Sequence, residues 1–342
     1  MSKEFKKADF LFPIILFLLF IIFLFFTYYL MASGYPKKED AQIVSPKNSQ
    51  IKTNSEDKKI VLAFVGDIML DRDVYSKIKK YGNGDFNYIF ENIKNDLLKY
   101  DFLTGNLEGP ISDKGVDSHG LYSFRMNPEA IGALKNVGFD ALSVANNHID
   151  NWGKGAMEDT FLRLNDAGIK VLGGGLNNIE AQSPKIVEID GTKIALLAFS
   201  EFGKGLYEAT ASSSGIAIIS EGALTNAIEI ARKNADLVVV IFHFGEEYAK
   251  ESNAYQKKYS HMAIDLGANL VVGHHPHVVQ EVEKYKNSYI AYSLGNFVFD
   301  QFFSKDTMEG GLLEVTIDNK TISDVTLRKV QLNKNYQPEI LE

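Results

Sequence analysis

Six apolar runs in this 342-residue chain each end in a carboxylate, an amide or an imidazole, and that repeated grammar constrains the fold more than any other feature. The run from Ile60 to Val65 leads into Gly66-Asp67, and Asp101 to Thr104 leads into Gly105-Asn106-Leu107-Glu108. Ala141 to Ala145 precedes Asn146-Asn147-His148, and Leu237 to Phe242 precedes His243. Asn269 to Val272 opens onto Gly273-His274-His275-Pro276-His277, and Tyr289 to Leu294 onto Gly295-Asn296. Continuous apolar runs of this length read as strands buried on both faces. In open α/β sheets the ligand crevice lies beyond the carboxyl ends of the strands, so the six ends are predicted to converge on one site.

Between these runs, helical apolar spacing predicts helices over 128–136, 155–167, 221–234 and 254–266. Asn127-Pro128 supplies an N-cap and a first-position proline, while Gly138, Gly168 and Gly267 supply stops. Residues 310–318 and 321–332 read as two closing strands joined at a turn containing Asn319. The alternation assigns an α/β (α+β) class to one domain over 59–332, followed by a tail at 333–342.

The amino-terminal part is of another kind. Residues 10–32 contain no charge, and a membrane-spanning helix needs roughly 20 apolar residues, so this stretch is predicted to be a transmembrane anchor. It follows a short tail at 1–9. A cleaved signal peptide is the alternative, but its apolar region runs only about 7–15 residues. Residues 33–58 are polar, without apolar periodicity, and read as a flexible stalk. The formal net charge is −8, of which residues 1–32 contribute +1, so an acidic domain follows that should repel nucleic acid.

Three of the chain's seven histidines stand in one cluster, and neutral imidazole is the commonest protein metal ligand. Pro276 disfavours helix at His275 and fixes its own φ, so an extended backbone is predicted, with His275 and His277 on one face and His274 pointing away. Asp67, Glu108, Asn147, His243, His275 and His277 together form a mixed oxygen and nitrogen set that suits one or two divalent ions of Mn, Zn, Fe or Co rather than Ca. Such a pair can activate a water and clamp phosphoryl oxygens. His148, next to Asn147, is then the candidate general acid. Arg125, Asn106, Asn296 and His274 are the candidate substrate contacts. Ordinary readings compete for several neighbours: Arg125 as a structural arginine before a helix, His119 as solvated, His261 as packed, Trp152 and Tyr122 as core, and Glu246 with Glu247 as an exposed acidic pair.

Gly66-Asp67-Ile68-Met69-Leu70, Gly105-Asn106-Leu107-Glu108, Ala145-Asn146-Asn147-His148, His243-Phe244-Gly245, His275-Pro276-His277 and Ser293-Leu294-Gly295-Asn296-Phe297 resemble, in order, the motif series of the poly-γ-glutamate capsule-synthesis family CapA. The resemblance spans roughly residues 60–300. It implies a calcineurin-like, metallophosphatase-like four-layer α/β/β/α sandwich in a membrane-anchored protein, with the amino terminus cytoplasmic and the domain extracellular. It further implies work on an anionic polymer or its precursor beside membrane subunits of a polymer synthase complex. Carried over by position, it makes Asp67 the first carboxylate ligand and Glu108 the bridge; Asn147, His243 and His275 would serve a second metal, and His277 would complete the first. Met69 departs from the Asp-x-His of ordinary phosphoesterases, Glu108 stands where aspartate is usual, and Asn151 where the family often places aspartate. A first metal would thus lose a ligand. Three functions follow: capsule polymer synthesis or export, an extracytoplasmic metal-dependent phosphoesterase acting on envelope phosphate esters, or a polymer-binding scaffold without turnover.

Overall fold

Alternation along Thr192–Ser200, a strand the apolar-run reading passes over, sets out the layers. Ile194, Leu196 and Ala198 enter one hydrophobic core, while Ala195, Leu197 and Phe199 enter a second. Leu237–His243 divides likewise, with Leu237, Val239 and Ile241 in the first core and Val238, Val240 and Phe242 in the second. Period-two side chains on a pleated backbone therefore give this sheet two apolar faces. Each fully buried Phe on them contributes on the order of 1.5–3 kcal/mol.

The computed structural model describes residues 59–341 apart from His119 and Leu121. The tail at 1–9, the predicted anchor at 10–32, the stalk at 33–58 and His119 lie outside the described residues. Among the described residues no helix is long and apolar enough to cross a membrane. In chain order the strands are β1 (Ile60–Ile68), β2 (Phe102–Leu107), β3 (Ala141–Ser143), β4 (Lys170–Leu172), β5 (Gly174–Gly175), β6 (Lys185–Ile189), β7 (Thr192–Ser200), β8 (Gly215–Ile216), β9 (Leu237–His243), β10 (Leu270–His274), β11 (Val282–Tyr285), β12 (Ser288–Ala291), β13 (Asn296–Val298), β14 (Glu309–Asp318), β15 (Thr321–Leu332) and β16 (Pro338–Ile340). The helices are α1 (Arg72–Tyr81), α2 (Lys94–Leu97), α3 (Ala130–Asn136), α4 (Lys154–Asp166), α5 (Asn178–Gln182), α6 (Glu221–Asn234) and α7 (Ala254–Leu266).

One sheet has the order β16-β15-β14-β1-β2-β3-β4, with β13 paired to β1, and the other has β11-β12-β10-β9-β7-β6. A small ladder joins β5 and β8. The first core gathers the first sheet, one face of the second sheet and the apolar sides of α1, α3 and α4. The second core lies between the other face of that sheet and α6 and α7. The layers therefore run helix, sheet, sheet, helix. The sequence-predicted helices at 221–234 and 254–266 match α6 and α7, and α7 carries a capping box in which Asn253 and Gln256 exchange hydrogen bonds.

Register then sets the site. Parallel pairing places Asp67 of β1 opposite Asn106 of β2 and Asn296 of β13. In the second sheet His243 of β9 pairs with His274 of β10 and with Ser200 of β7. Gly66 permits a close backbone approach, because a Cβ there would stand 2.0 Å from the Gly295 carbonyl oxygen. That contact lets the Asp67 N–H donate to Gly295 O at 2.9 Å and brings the loop before β13 against β1.

Candidate metal centre

Asp67 is fully buried, and partners from both sheets meet on it. Asn106 Nδ2 donates to Asp67 Oδ1 at 2.8 Å. His274 Nδ1 lies 3.4 Å from Oδ1, and His277 Nδ1 3.3 Å from Oδ2. The His275 N–H approaches Oδ2 at 3.4 Å. Glu108, also fully buried, receives Asn106 Nδ2 at 3.2 Å on Oε2. Its Oε1 has no hydrogen-bond partner and lies 3.5 Å from His277 Nε2 and 3.8 Å from His148 Nε2. Potential ligand atoms of Asp67, Glu108 and His277 all lie within 4.8 Å of one another.

A second corner adjoins this one. His243 Nε2 is 2.8 Å from Asn147 Oδ1 and 3.2 Å from His275 Nδ1. The His275 and His277 ring centroids are 6.0 Å apart. The structure thus brings together all six sequence-predicted metal-ligand candidates. Among the described residues neither buried carboxylate has a Lys or Arg ion-pair partner, which is the usual requirement for a buried charge. The donor set and the unpartnered Glu108 Oε1 fit a divalent cation.

The electrostatics of the two corners differ. Burial would raise the Asp67 carboxyl, but contact with His274 and His277 outweighs it and holds the group well below the ordinary carboxylate value. Burial and the Asp67 charge push Glu108 well above its ordinary value. His277 loses hydration on burial, yet Glu108 and Asp67 lift it to about 9. In the second corner burial dominates, aided by neighbouring imidazoles, so His275 falls to about 3 and His243 well below its usual range. One corner therefore pairs carboxylate with imidazolium, whose proton a divalent cation would replace, and the other holds neutral imidazoles.

The extended geometry predicted around Pro276 is not what forms. His275 and His277 have φ of +100° and +60°, both in the left-handed region, so the segment bends sharply. Strain of this kind costs on the order of 1–3 kcal/mol and is over-determined here by the bond from the His275 N–H to Asp67 and that from the Tyr248 N–H to Pro276 O. His274 does not point away either. Strand β10 continues through it, so it shares the parity of Leu270 and Val272 on the face directed at the first sheet, and there it meets Asp67.

Asn106 and Asn296, expected to contact substrate, are hydrogen-bonded to the candidate ligand side chains. Asn106 spans Asp67 and Glu108, while Asn296 Oδ1 lies 3.0 Å from His277 Nδ1 and its Nδ2 donates to Gln301 and to Thr307 O. Such outer partners orient imidazole ligands. Arg125 lies elsewhere: its guanidinium sits 3.6 Å over the Trp152 ring and donates to Lys114 O. His261 pairs with Glu283 and stacks on Tyr285.

His148 sits at the rim, with Nδ1 2.9 Å from Asn151 Oδ1 and its ring 4.3 Å from that of Phe124. Burial lowers it to about 4, so its imidazole is neutral. His148 and His277 line a cavity of about 180 Å³ that also takes in Arg72, Glu247, Tyr248 and Asp300. Sequence reasoning did not single out Arg72 and Asp300. Their signal was position, since each stands a few residues beyond a motif, after Leu70 and after Phe297.

Comparison with known proteins completes the picture. "Capsule biosynthesis protein CapA" of Bacillus anthracis is 33% identical over 286 residues, which are 81% of this chain and 69% of that protein. "PGA biosynthesis protein CapA" of Bacillus subtilis (strain 168) is 33% identical over 271 residues, 78% of this chain and 69% of the other. The crystal structure of a "novel phosphatase" from Mycoplasma pneumoniae covers 80% of this chain and 94% of its own at a TM-score of 0.51 and 13% identity, a likeness of fold. Residues 61–301 match the family described as "Bacterial capsule synthesis protein PGA_cap", and with this match and the two relatives the chain belongs to that family.

Proposed function

We propose that this protein takes part in the synthesis or export of an anionic capsule polymer of the poly-γ-glutamate type, anchored in the membrane by residues 10–32 with its domain outside the cell. Membership of the capsule synthesis family supports the process, and the uncharged stretch at 10–32 supports the anchor. The chemistry we assign is hydrolysis at a divalent metal centre, of Mn, Zn, Fe or Co. One observation carries it: two fully buried carboxylates, Asp67 and Glu108, face imidazoles with no Lys or Arg ion pair among the described residues, and Glu108 Oε1 has no hydrogen-bond partner.

In this reading Asp67, Glu108 and His277 hold one ion, and Asn147, His243 and His275 a second. A bound divalent ion supplies Lewis acidity and a water of lowered pKa. Asn106 and Asn296 keep the ligand side chains in register, and Phe124 keeps water from one face of His148. The Nδ1–H of His148 donates to Asn151 Oδ1, which leaves the Nε2 lone pair to take a proton from solvent and pass it to the leaving oxygen.

Elemental analysis of the purified full-length chain in detergent, beside His277→Ala and His243→Ala, tests the reading. Wild type is expected to hold a transition metal and each variant to hold less. A wild type without metal, loaded or as purified, sinks the metal-centred account. A deletion strain with unchanged surface polymer sinks the capsule role.

A further inference from the structure

The cavity beside the metal-ligand cluster is small and carries both signs of charge. Its volume of about 180 Å³ falls below the roughly 300–1,000 Å³ of sites for drug-sized ligands, so it takes one end group rather than a length of polymer. Arg72 lines it at φ +52°, a left-handed conformation for a non-glycine residue. Its Nε and Nη2 are bound to Asp300, which also accepts the Asp73 N–H, so the pair is fixed and Nη1 takes no part in it. The guanidinium lies 4.9 Å from the Phe124 centroid, and Phe124 packs against His148. Glu247, exposed, lines it as well, next to Tyr248. The Tyr248 ring lies 6.1 Å from that of His277 and meets Phe303 edge-on at 5.2 Å.

A guanidinium edge selects a carboxylate, and a carboxylate beside aromatic faces selects an ammonium group. A simple dianion fits poorly, because Asp300 already neutralises Arg72 and Glu247 adds a negative charge. An amine alone leaves Arg72 unused. We propose that this cavity is a subsite for an α-amino-acid end group, carboxylate on Arg72 and ammonium on Glu247 and Tyr248, beside the candidate ligand cluster. In a chain linked through side-chain carboxyls, only the amino-terminal unit carries both groups on one carbon, as the free monomer also does. The inference rests on the reading of the adjoining cluster as the reaction centre, and it names what that centre is offered.

Isothermal titration of the full-length chain in detergent tests it with four probes: a γ-linked glutamate trimer, the same trimer N-acetylated, free glutamate, and inorganic phosphate. Acetylation is expected to weaken wild-type binding roughly tenfold or more, the loss of one charge-assisted contact. E247Q should weaken the free trimer by a similar factor and leave the acetylated one unchanged. R72Q strands the Asp300 carboxylate, so Arg72→Lys, which keeps the charge and loses the fork, is measured beside it and should weaken both trimers. A trimer that binds better than glutamate marks the chain end as the ligand, and equal binding marks the monomer; both support the subsite. Equal binding of the free and acetylated trimers, or phosphate binding better than the trimer and sensitive to Arg72→Lys, overturns it. Metal content is read on the same samples. Metal present without discrimination sinks the subsite alone, whereas discrimination through Glu247 in a protein that holds no metal sinks the hydrolase reading and leaves the subsite standing.

Discussion

Asp159 and Asp67 are both buried carboxylates, and the protein surrounds them in opposite ways. Asp159, on α4, receives Ser112 Oγ and Arg163 Nε at 2.6 Å each and Lys114 Nζ at 2.7 Å. Two cations and a hydroxyl satisfy it. Asp67 faces one amide and the imidazoles of His274 and His277, with a second buried carboxylate, Glu108, close by. Burying an isolated charge is expensive, so a carboxylate retained for structure is given cations from the chain itself. One set among imidazoles beside another acid, Glu108, whose Oε1 has no hydrogen-bond partner, is arranged for a cation from outside. The contrast separates anchor from site without reference to any relative.

Exchanging the two roles is the strongest way to break that contrast. Asp67→Asn should abolish metal binding, by more than the roughly 10–100-fold that follows loss of an outer partner, because it removes a ligand and the group that orients His274 and His277. Asp159→Asn should leave metal content unchanged and lower stability by about 2 kcal/mol, roughly 4–8 °C in melting temperature. Elemental analysis and calorimetry on both variants decide the matter. A metal-free Asp159→Asn protein, or an Asp67→Asn protein that still binds metal, would erase the distinction.

His148→Ala sharpens it from the cavity side. The ring touches Phe124 and the cavity, and its nearest approach to the carboxylates is the 3.8 Å between Nε2 and Glu108 Oε1. Turnover of a chromogenic phosphate ester, once a substrate of that class is found, should fall by about 10²–10⁴ while metal content holds. Loss of metal together with turnover would make His148 part of the ligand set instead.

Much of this was legible from residues alone, and the gaps have physical causes. Strand ends were readable because a buried strand is a continuous apolar run and its break marks the rim; hence Asp67, Glu108, Asn147, His243, His275 and His277 could be named, and they do converge. Strand β7 was missed although its residues alternate between two cores, because it ends in Ser200, which carries no metal-binding group. Orientation inside the histidine cluster was misjudged because Pro276 speaks only for local backbone, whereas parity along β10 and the pull of Asp67 set the outcome. Arg125 is named from the sequence and Arg72 is not, for a similar reason. A guanidinium's partner, Trp152 for one and Asp300 for the other, is chosen by tertiary contact that spacing does not report.

The smallest effect tests the anchor in its own terms, by pH. Burial opposes ionisation of Asp159, but Lys114, Ser112 and Arg163 together hold its carboxyl at about 2, against 3.8 for the ordinary group. A depressed folded-state pKa stabilises the protein at pH above the unfolded value, and that contribution is lost as pH falls through the folded one. The full contribution is about 2 kcal/mol, with the exposed Lys114 head screening part of it. From linkage, roughly half of it should be gone by pH 3. Urea unfolding of wild type and Asp159→Asn at pH 7, 4 and 3 isolates the term, since the other carboxylates cancel in the difference. The gap between the two proteins should hold from pH 7 to about 5 and shrink by roughly 1 kcal/mol at pH 3. A gap that does not move with pH would mean that Asp159 contributes through packing and neutral hydrogen bonds, and that its charge is not what distinguishes the anchor from the site.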